Sequence, residues 1–150
     1  MNNIFPISVV DDFFTDPDEV VKLANSLKFT QSNGFYPGKR TDRLHLLKYD
    51  FFHSVVCKVL SLYYNLNSAD IRYEDVSMHF QKIKPFNKKQ INHVLNKGLV
   101  HQDSGVLLAG VVYLNKKPDL NSGTSIYMST KKRSKEYDEK LGSKKKDANL

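Results

Sequence analysis

Residues 96–127, which read NKGLVHQDSGVLLAGVVYLNKKPDLNSGTSIY, decide the fold that this chain is expected to adopt. The apolar run at 106–114 has the composition of a strand covered on both faces. An extended segment is predicted before it, at 99–103, and a turn rich in Pro, Asp, Asn and Gly after it, at 116–123. A further short strand is predicted at 124–128. The second half of the chain is therefore expected to form a succession of short strands.

A period of two also appears upstream of this stretch. Three apolar residues alternate with three polar ones, which is typical of a half-buried strand. They are Val76, Met78 and Phe80, interleaved with Ser77, His79 and Gln81. His79 belongs to the polar set and is interpreted as a surface histidine. A polar loop is predicted from residue 85 to about residue 97.

The first half of the chain contains a strongly marked helix start. Asp16 has the position of an N-cap, Pro17 follows at the first helical position, and Glu19 lies three residues after the cap, as in a capping box. Helical spacing then predicts one buried face, formed by Val20, Leu23, Ala24 and Leu27. A short strand is predicted at residues 4–10 and a loop at residues 33–41.

A second helix is predicted over about residues 50–64. Its apolar side is formed by Phe52, Val55, Val56, Val59, Leu60 and Tyr63. His53 and Cys57 are one turn apart on this helix and could share a metal ion, but no further ligand is near them in the sequence. Partial burial among packing residues is therefore the favoured interpretation. Helices followed by strands indicate an α+β fold, with helices packed on one side of a mainly antiparallel sheet.

Composition favours one soluble domain of the cytoplasm. The 150 residues are 40% hydrophobic and 11% aromatic, which is enough for one modest core. No stretch reaches the roughly 20 apolar residues of a membrane-spanning helix, and the N-terminus has no basic leader typical of a signal peptide. Cys57 is the only cysteine, which excludes an internal disulfide and suits a reducing compartment.

Positive charge is concentrated in two parts of the chain, whose net charge is +7. Residues 76–102 contain five lysines and no acidic residue, and residues 131–150 contain eight basic and four acidic residues. Such stretches can attract phosphate or an acidic partner. No nucleic-acid-binding motif accompanies the lysines, so a solvated loop and a disordered tail at 131–150 are favoured over nucleic-acid binding.

His101 and Asp103 are the residues best able to carry chemistry. In a strand, residues two apart point to the same face, so this imidazole and this carboxylate can reach one cation. They would supply two corners of a 2-His-1-carboxylate triad, which holds Fe(II) and leaves positions open for a cosubstrate and O₂. A His-x-Asp tripeptide also arises by chance in a chain of this composition. Two solvated residues at a strand end are therefore the alternative.

The context of this pair resembles the prolyl-hydroxylase-like branch of the Fe(II)/2-oxoglutarate-dependent oxygenases. In that family a strand with His-x-Asp precedes an apolar strand ending in Tyr-Leu-Asn, here residues 111–115, and a Gly-containing strand start, here residues 122–124. The N-terminal half is similar to that of phage and bacterial members in its Asp-Phe-Phe (12–14), Pro-Asp-Glu (17–19) and Tyr-Pro-Gly-Lys-Arg (36–40) segments. The resemblance covers roughly residues 5–128.

The resemblance implies a function, a fold and a set of site residues. His101 and Asp103 would be iron ligands, and the Tyr113 hydroxyl would donate to the distal carboxylate of 2-oxoglutarate. Core packing is the alternative for Tyr113, and Gly123 is expected to serve a turn with positive φ. The implied cofactors are Fe(II) and 2-oxoglutarate, and the implied reaction is hydroxylation of a substrate such as a peptide side chain. The implied fold is a jelly-roll-like double-stranded β-helix over residues 1–130.

Two features of the family are missing from this sequence. No histidine follows His101 to serve as the distal iron ligand, and no later strand offers a basic residue for the 2-oxoglutarate carboxylate. The β-helix is therefore expected to be incomplete, as in a truncated gene product or a fragment, and to bind both cofactors poorly. A catalytically inactive binding module, using its basic loop on an acidic partner, is the alternative function.

Overall fold

The computed structural model describes residues 7–31, 36–68, 71–73, 75–84, 101, 103, 105–118 and 123–126. Within them the chain has the expected mixed α+β architecture. Its regular elements are helices α1 (Pro17–Asn25), α2 (Leu44–Leu47) and α3 (Tyr49–Ser61) and strands β1 (Thr30–Gln31), β2 (Lys39–Arg40) and β3 (Gln81–Lys82). None of the helices in these described ranges is both long and apolar enough to cross a membrane.

The chain divides into two compact units, the first of residues 1–26 and 101–127 and the second of residues 27–100 and 128–150. The first unit contains α1 and the segment with the candidate ligands, and the second contains the sheet, α2 and α3. One domain over residues 1–130 stays a prediction. The predicted tail at 131–150 lies outside the described residues.

Helix α1 begins where the sequence predicts. Asp16 is its N-cap and accepts a 3.1 Å hydrogen bond at Oδ1 from the backbone N–H of Glu19. Such a cap stabilises a helix by about 1 kcal/mol. The Glu19 carboxylate pairs with Lys22 rather than closing the predicted capping box. Val20 and Ala24 are buried, which confirms the centre of the predicted apolar face.

The core of the second unit forms between α2, α3 and the segment that leads into β3. Leu44, Phe52 and Val56 are its buried centre. Partly buried side chains surround them, namely Leu27, Phe51, Leu60, Val76, Met78 and Phe80. Residues 76–80 form no strand, so the predicted half-buried strand is wrong there, but the apolar half of its alternation packs against this core. The predicted second helix ends at Ser61, so the predicted core residue Tyr63 lies beyond it and is 45% exposed.

A three-stranded antiparallel sheet in the order β1-β2-β3 is built from strands of two residues each. Thr30 of β1 pairs with Arg40 of β2, which pairs with Gln81 of β3. The predicted loop at 33–41 is therefore wrong at its C-terminal end, and its residues 33–35 lie outside the described residues. A strand of two residues cannot display a period of two, and its conformation is fixed by its neighbours on both sides.

Thr41 joins β2 to the segment that enters β3. It is 3% exposed. Its backbone N–H donates to the Phe80 carbonyl at 3.0 Å, and its Oγ1 accepts from the Phe80 N–H at 3.1 Å. Nδ1 of His79 donates to the Thr41 carbonyl at 3.0 Å, and His79 Nε2 lies 3.0 Å from the Ser77 hydroxyl. His79 is therefore half-buried and held by hydrogen bonds, which corrects its interpretation as a surface histidine.

The apolar run at 106–114 differs from its prediction. It contains no strand, and Val106, Leu107 and Val111 are 55%, 82% and 64% exposed. A strand covered on both faces is therefore wrong for this run, because an apolar run becomes a buried strand only when neighbouring strands pair with it. Among the described residues, no strand does so.

Two shorter strand predictions fall partly outside the described residues. Residues 7–10 and 124–126 contain no strand, while residues 4–6 and 127–128 are not described. Gly123 has a φ of +148°, which confirms the predicted backbone requirement at that turn.

Candidate functional site

His101 and Asp103 approach each other in the first unit. Nε2 of His101 lies 3.4 Å from Oδ1 of Asp103, and the two side chains are 52% and 53% exposed. The backbone is non-helical at both residues. The two side chains thus converge, as their spacing in an extended segment predicts.

The separation of this pair suits two adjacent ligands of one metal ion. In an octahedral site with bonds of about 2.1 Å, neighbouring donor atoms lie about 3 Å apart. An imidazole nitrogen and a carboxylate oxygen are also donors that Fe(II) accepts. Among the described residues, no group of three His, Cys, Asp or Glu side chains could hold a metal. The pair therefore fits two of the three protein positions of a facial triad.

Tyr113 presents its hydroxyl group to another side chain. Its oxygen lies 2.7 Å from Oγ1 of Thr124, and either group can be the donor. Tyr113 is 55% exposed, so core packing does not describe it. Because a phenol both donates and accepts, Tyr113 can accept from Thr124 and still offer its own proton to a carboxylate. The role of Tyr113 toward 2-oxoglutarate stays a prediction.

A cavity of about 270 Å³ lies beside Tyr113 in the first unit. It is lined by Pro17, Asp18, Tyr113, Leu114, Asn115 and Lys116. Nζ of Lys116 lies 2.8 Å from Oδ2 of Asp18, so a cation and a carboxylate neutralise each other at its wall. Neither His101 nor Asp103 is among its described lining residues. Sequence reasoning missed the Lys116–Asp18 contact because two residues 98 positions apart leave no local pattern.

His53 and Cys57 lie one turn apart on α3, as the helix predicts. Sγ of Cys57 is 3.7 Å from Nε2 of His53, and the His53 ring stacks on Tyr49 with 5.9 Å between centroids. Cys57 is half-buried, as expected of a packing residue, whereas His53 is exposed. No third metal ligand accompanies the two in the part of the chain that the structure describes.

A second cavity, in the second unit, was not indicated by the sequence; we name it the Tyr49–Tyr73 cavity. Its volume is about 220 Å³. It is lined by His45, Tyr49, Phe52, Tyr73, Asp75 and Val76. The nearest sequence signal is the Tyr49–Phe52 spacing of three residues on α3, which places both rings on one helix face. Tyr73 and Asp75 join them only through the tertiary fold.

One known protein family matches nearly the whole chain. The model of a family described as a family of unknown function (DUF6445) matches residues 2–149. The match therefore includes residues of both compact units. No curated protein and no solved structure matches the chain significantly.

Proposed function

We propose that this chain, which belongs to the family of unknown function DUF6445, is an Fe(II)/2-oxoglutarate-dependent oxygenase on an incomplete double-stranded β-helix scaffold. The proposal rests on the His101–Asp103 pair, whose 3.4 Å separation suits two adjacent ligands of one ion. The Tyr-Leu-Asn segment at 113–115 supports the same class, because it follows the pair as it does in the oxygenases that the sequence resembles.

Fe(II), when bound together with 2-oxoglutarate and O₂, would supply the oxidising chemistry in which one oxygen atom hydroxylates a substrate while the other enters 2-oxoglutarate, which is decarboxylated to succinate and CO₂. The residues of the chain would bind and orient. Nε2 of His101 and Oδ1 of Asp103 would hold the ion, and the Tyr113 hydroxyl would donate to a carboxylate oxygen of 2-oxoglutarate. Because the pair is half-exposed, a peptide side chain is among the substrates that could reach it.

A paramagnetic ion tests the metal site without requiring turnover. Substoichiometric Mn(II) should broaden the ring signals of His101 more than those of the other four histidines, because nuclei close to the ion relax fastest. Asp103→Asn should remove this preference. The matched control is His53→Ala, which alters an exposed histidine on α3 and should leave the preference intact. Equal broadening of all histidines in the parent chain would contradict the metal site.

Anaerobic loading with Fe(II), followed by 2-oxoglutarate and O₂, tests the activity. Succinate formation should require Fe(II) and be lost in His101→Ala. Its rate should be low, because two protein donors hold iron less tightly than three. Succinate formed at the same rate without added iron, or by His101→Ala, would overturn the oxygenase proposal.

A binding module on the same scaffold is the second candidate, and one feature of the sheet favours it. Lys39 of β2 lies directly opposite Lys82 of β3, and both side chains are exposed. Two exposed positive side chains on neighbouring strands attract an anionic partner. Iron-independent binding of an acidic peptide, weakened by salt and by Lys39→Gln, would favour this candidate over the oxygenase.

A further inference from the structure

We propose that the Tyr49–Tyr73 cavity binds the alkylammonium group of a small organic cation. All the described residues that line the cavity belong to the second unit, whereas His101 and Asp103 belong to the first. The inference therefore does not depend on the proposed oxygenase function and can hold if that function is wrong.

The aromatic rings of Tyr49, Phe52 and Tyr73 line the cavity. Phe52 is only 3% exposed, so it belongs to the packed core behind the cavity, and its ring centroid is 6.2 Å from that of Tyr49. Tyr49 and Tyr73 are 59% and 44% exposed. Although the Tyr49 ring stacks on His53, both tyrosine side chains keep a large exposed fraction beside the fixed Phe52 ring. The electron-rich faces of such rings attract cations within about 6 Å, most strongly where water is partly excluded.

Asp75 is the carboxylate among the described residues that line this aromatic cavity. Its only charged partner among the described residues is Arg43, whose Nη1 lies 3.6 Å from Oδ1. The side chains of Arg43 and Asp75 are 48% and 73% exposed. An exposed ion pair at this distance contributes little stability, about 0–1 kcal/mol. A ligand cation can therefore compete with Arg43 for the carboxylate.

The size of the cavity and the charge of the chain restrict the ligand further. A volume of about 220 Å³ is below the roughly 300–1,000 Å³ typical of pockets that enclose a whole drug-sized ligand. The cavity therefore suits a head group rather than a complete cofactor. The net charge of +7 repels a polycationic peptide more strongly than a monocation, because the repulsion grows with the charge of the ligand. A small monovalent alkylammonium compound satisfies both restrictions.

The proposal is tested with two probes, choline and its uncharged carbon isostere. The isostere is the primary alcohol in which a tert-butyl group replaces the trimethylammonium group. They have nearly the same shape and differ in charge. Titration up to about 20 mM, followed by the ring signals of Tyr49 and Tyr73, should give millimolar binding for choline and at least about fivefold weaker binding for the isostere. Equal binding of the two would show an apolar cavity without cation recognition. Absence of choline binding over this range would overturn the proposal.

Variants locate the binding and separate it from any effect on folding. Tyr73→Leu should weaken choline binding about two- to fivefold, and Asp75→Asn should do the same. The matched control is Tyr63→Leu, which replaces a tyrosine of nearly equal exposure (45%) outside the cavity and should not change binding. Arg43→Gln should strengthen binding, because it removes the competing cation, and a purely structural role for these residues would not produce that gain. Weaker binding by Arg43→Gln, or equal losses in Tyr63→Leu and Tyr73→Leu, would contradict the assignment.

Discussion

Gly38 is held in a backbone conformation and a space that suit glycine alone. Its φ is +77°, and a Cβ atom at this position would overlap the Lys82 carbonyl oxygen, with the carbonyl carbon 2.9 Å away. The obstacle is backbone and cannot rotate aside. We therefore expect Gly38→Ala to lower the free energy of unfolding by about 2 kcal/mol or more, measured by urea denaturation.

Gly110 provides the control for this prediction. It has no positive φ, and a Cβ atom there would meet nothing within 4 Å. Gly110→Ala should change the free energy of unfolding by no more than about 0.5 kcal/mol. A loss of similar size in both variants would mean that glycine content in general, and not the contact with Lys82, limits stability.

Variants at Tyr113 and Thr124 distinguish two roles of the Tyr113 hydroxyl group, one in ligand binding and one in structure. Tyr113→Phe removes the donor proposed for 2-oxoglutarate and should weaken its binding by about 0.5–3 kcal/mol, the upper end applying to a charged acceptor. Thr124→Val removes the same 2.7 Å contact but leaves the phenol in place. It should therefore retain 2-oxoglutarate binding, measured by calorimetry with Mn(II) present. Equal losses in the two variants would assign the hydroxyl to the Thr124 contact.

At the residue scale, sequence patterns predicted those parts of the candidate site that are local. The convergence of His101 and Asp103 was predicted from their spacing of two residues. The Lys116–Asp18 contact and the grouping of Tyr73 with Tyr49 depend on chain segments that meet only in the folded state. No local spacing in the sequence encodes contacts between distant segments, so sequence patterns could not predict them.

At the scale of elements, one buried threonine joins the sheet to the core. Thr41→Val keeps the shape of the side chain but leaves the Phe80 N–H without its acceptor at Oγ1. We expect the free energy of unfolding to fall by about 1–3 kcal/mol, because the partly buried donor is left unpaired. Thr41→Ser retains the hydroxyl group and should lose less. A Thr41→Val protein as stable as the parent would indicate that water reaches the Phe80 N–H.

Helices α1 and α3 were predictable, whereas α2 and most strands were not, for a physical reason. Helix α1 is marked by its own N-cap, and α3 by an apolar face that recurs every three or four residues. The strands β1, β2 and β3 contain two residues each, and their extended form depends on pairing across the sheet. The apolar composition of residues 106–114 was equally insufficient, since it predicts burial only where partner strands are present.

At the scale of the whole molecule, resistance to local opening should differ between the two units. Phe52, Val55 and Val56 of α3 are buried, whereas residues 105–118 contain no helix or strand and expose most of their apolar side chains. Native-state hydrogen exchange should therefore be at least about tenfold slower for the amides of α3 than for those of residues 105–118. Equal protection of the two segments would mean that residues 105–118 share the stability of the core.

The proposed metal site at His101 and Asp103 would discriminate poorly between divalent ions. Its described ligands are one imidazole and one carboxylate, which impose no coordination geometry, so the site would rank divalent ions by their intrinsic affinities. By intrinsic affinity, Cu(II) and Zn(II) bind such donors more tightly than Fe(II) does. Occupancy by iron would therefore follow the concentrations of free metal ions in the cell. Protein purified in air would carry Cu(II) or Zn(II) wherever these ions were present.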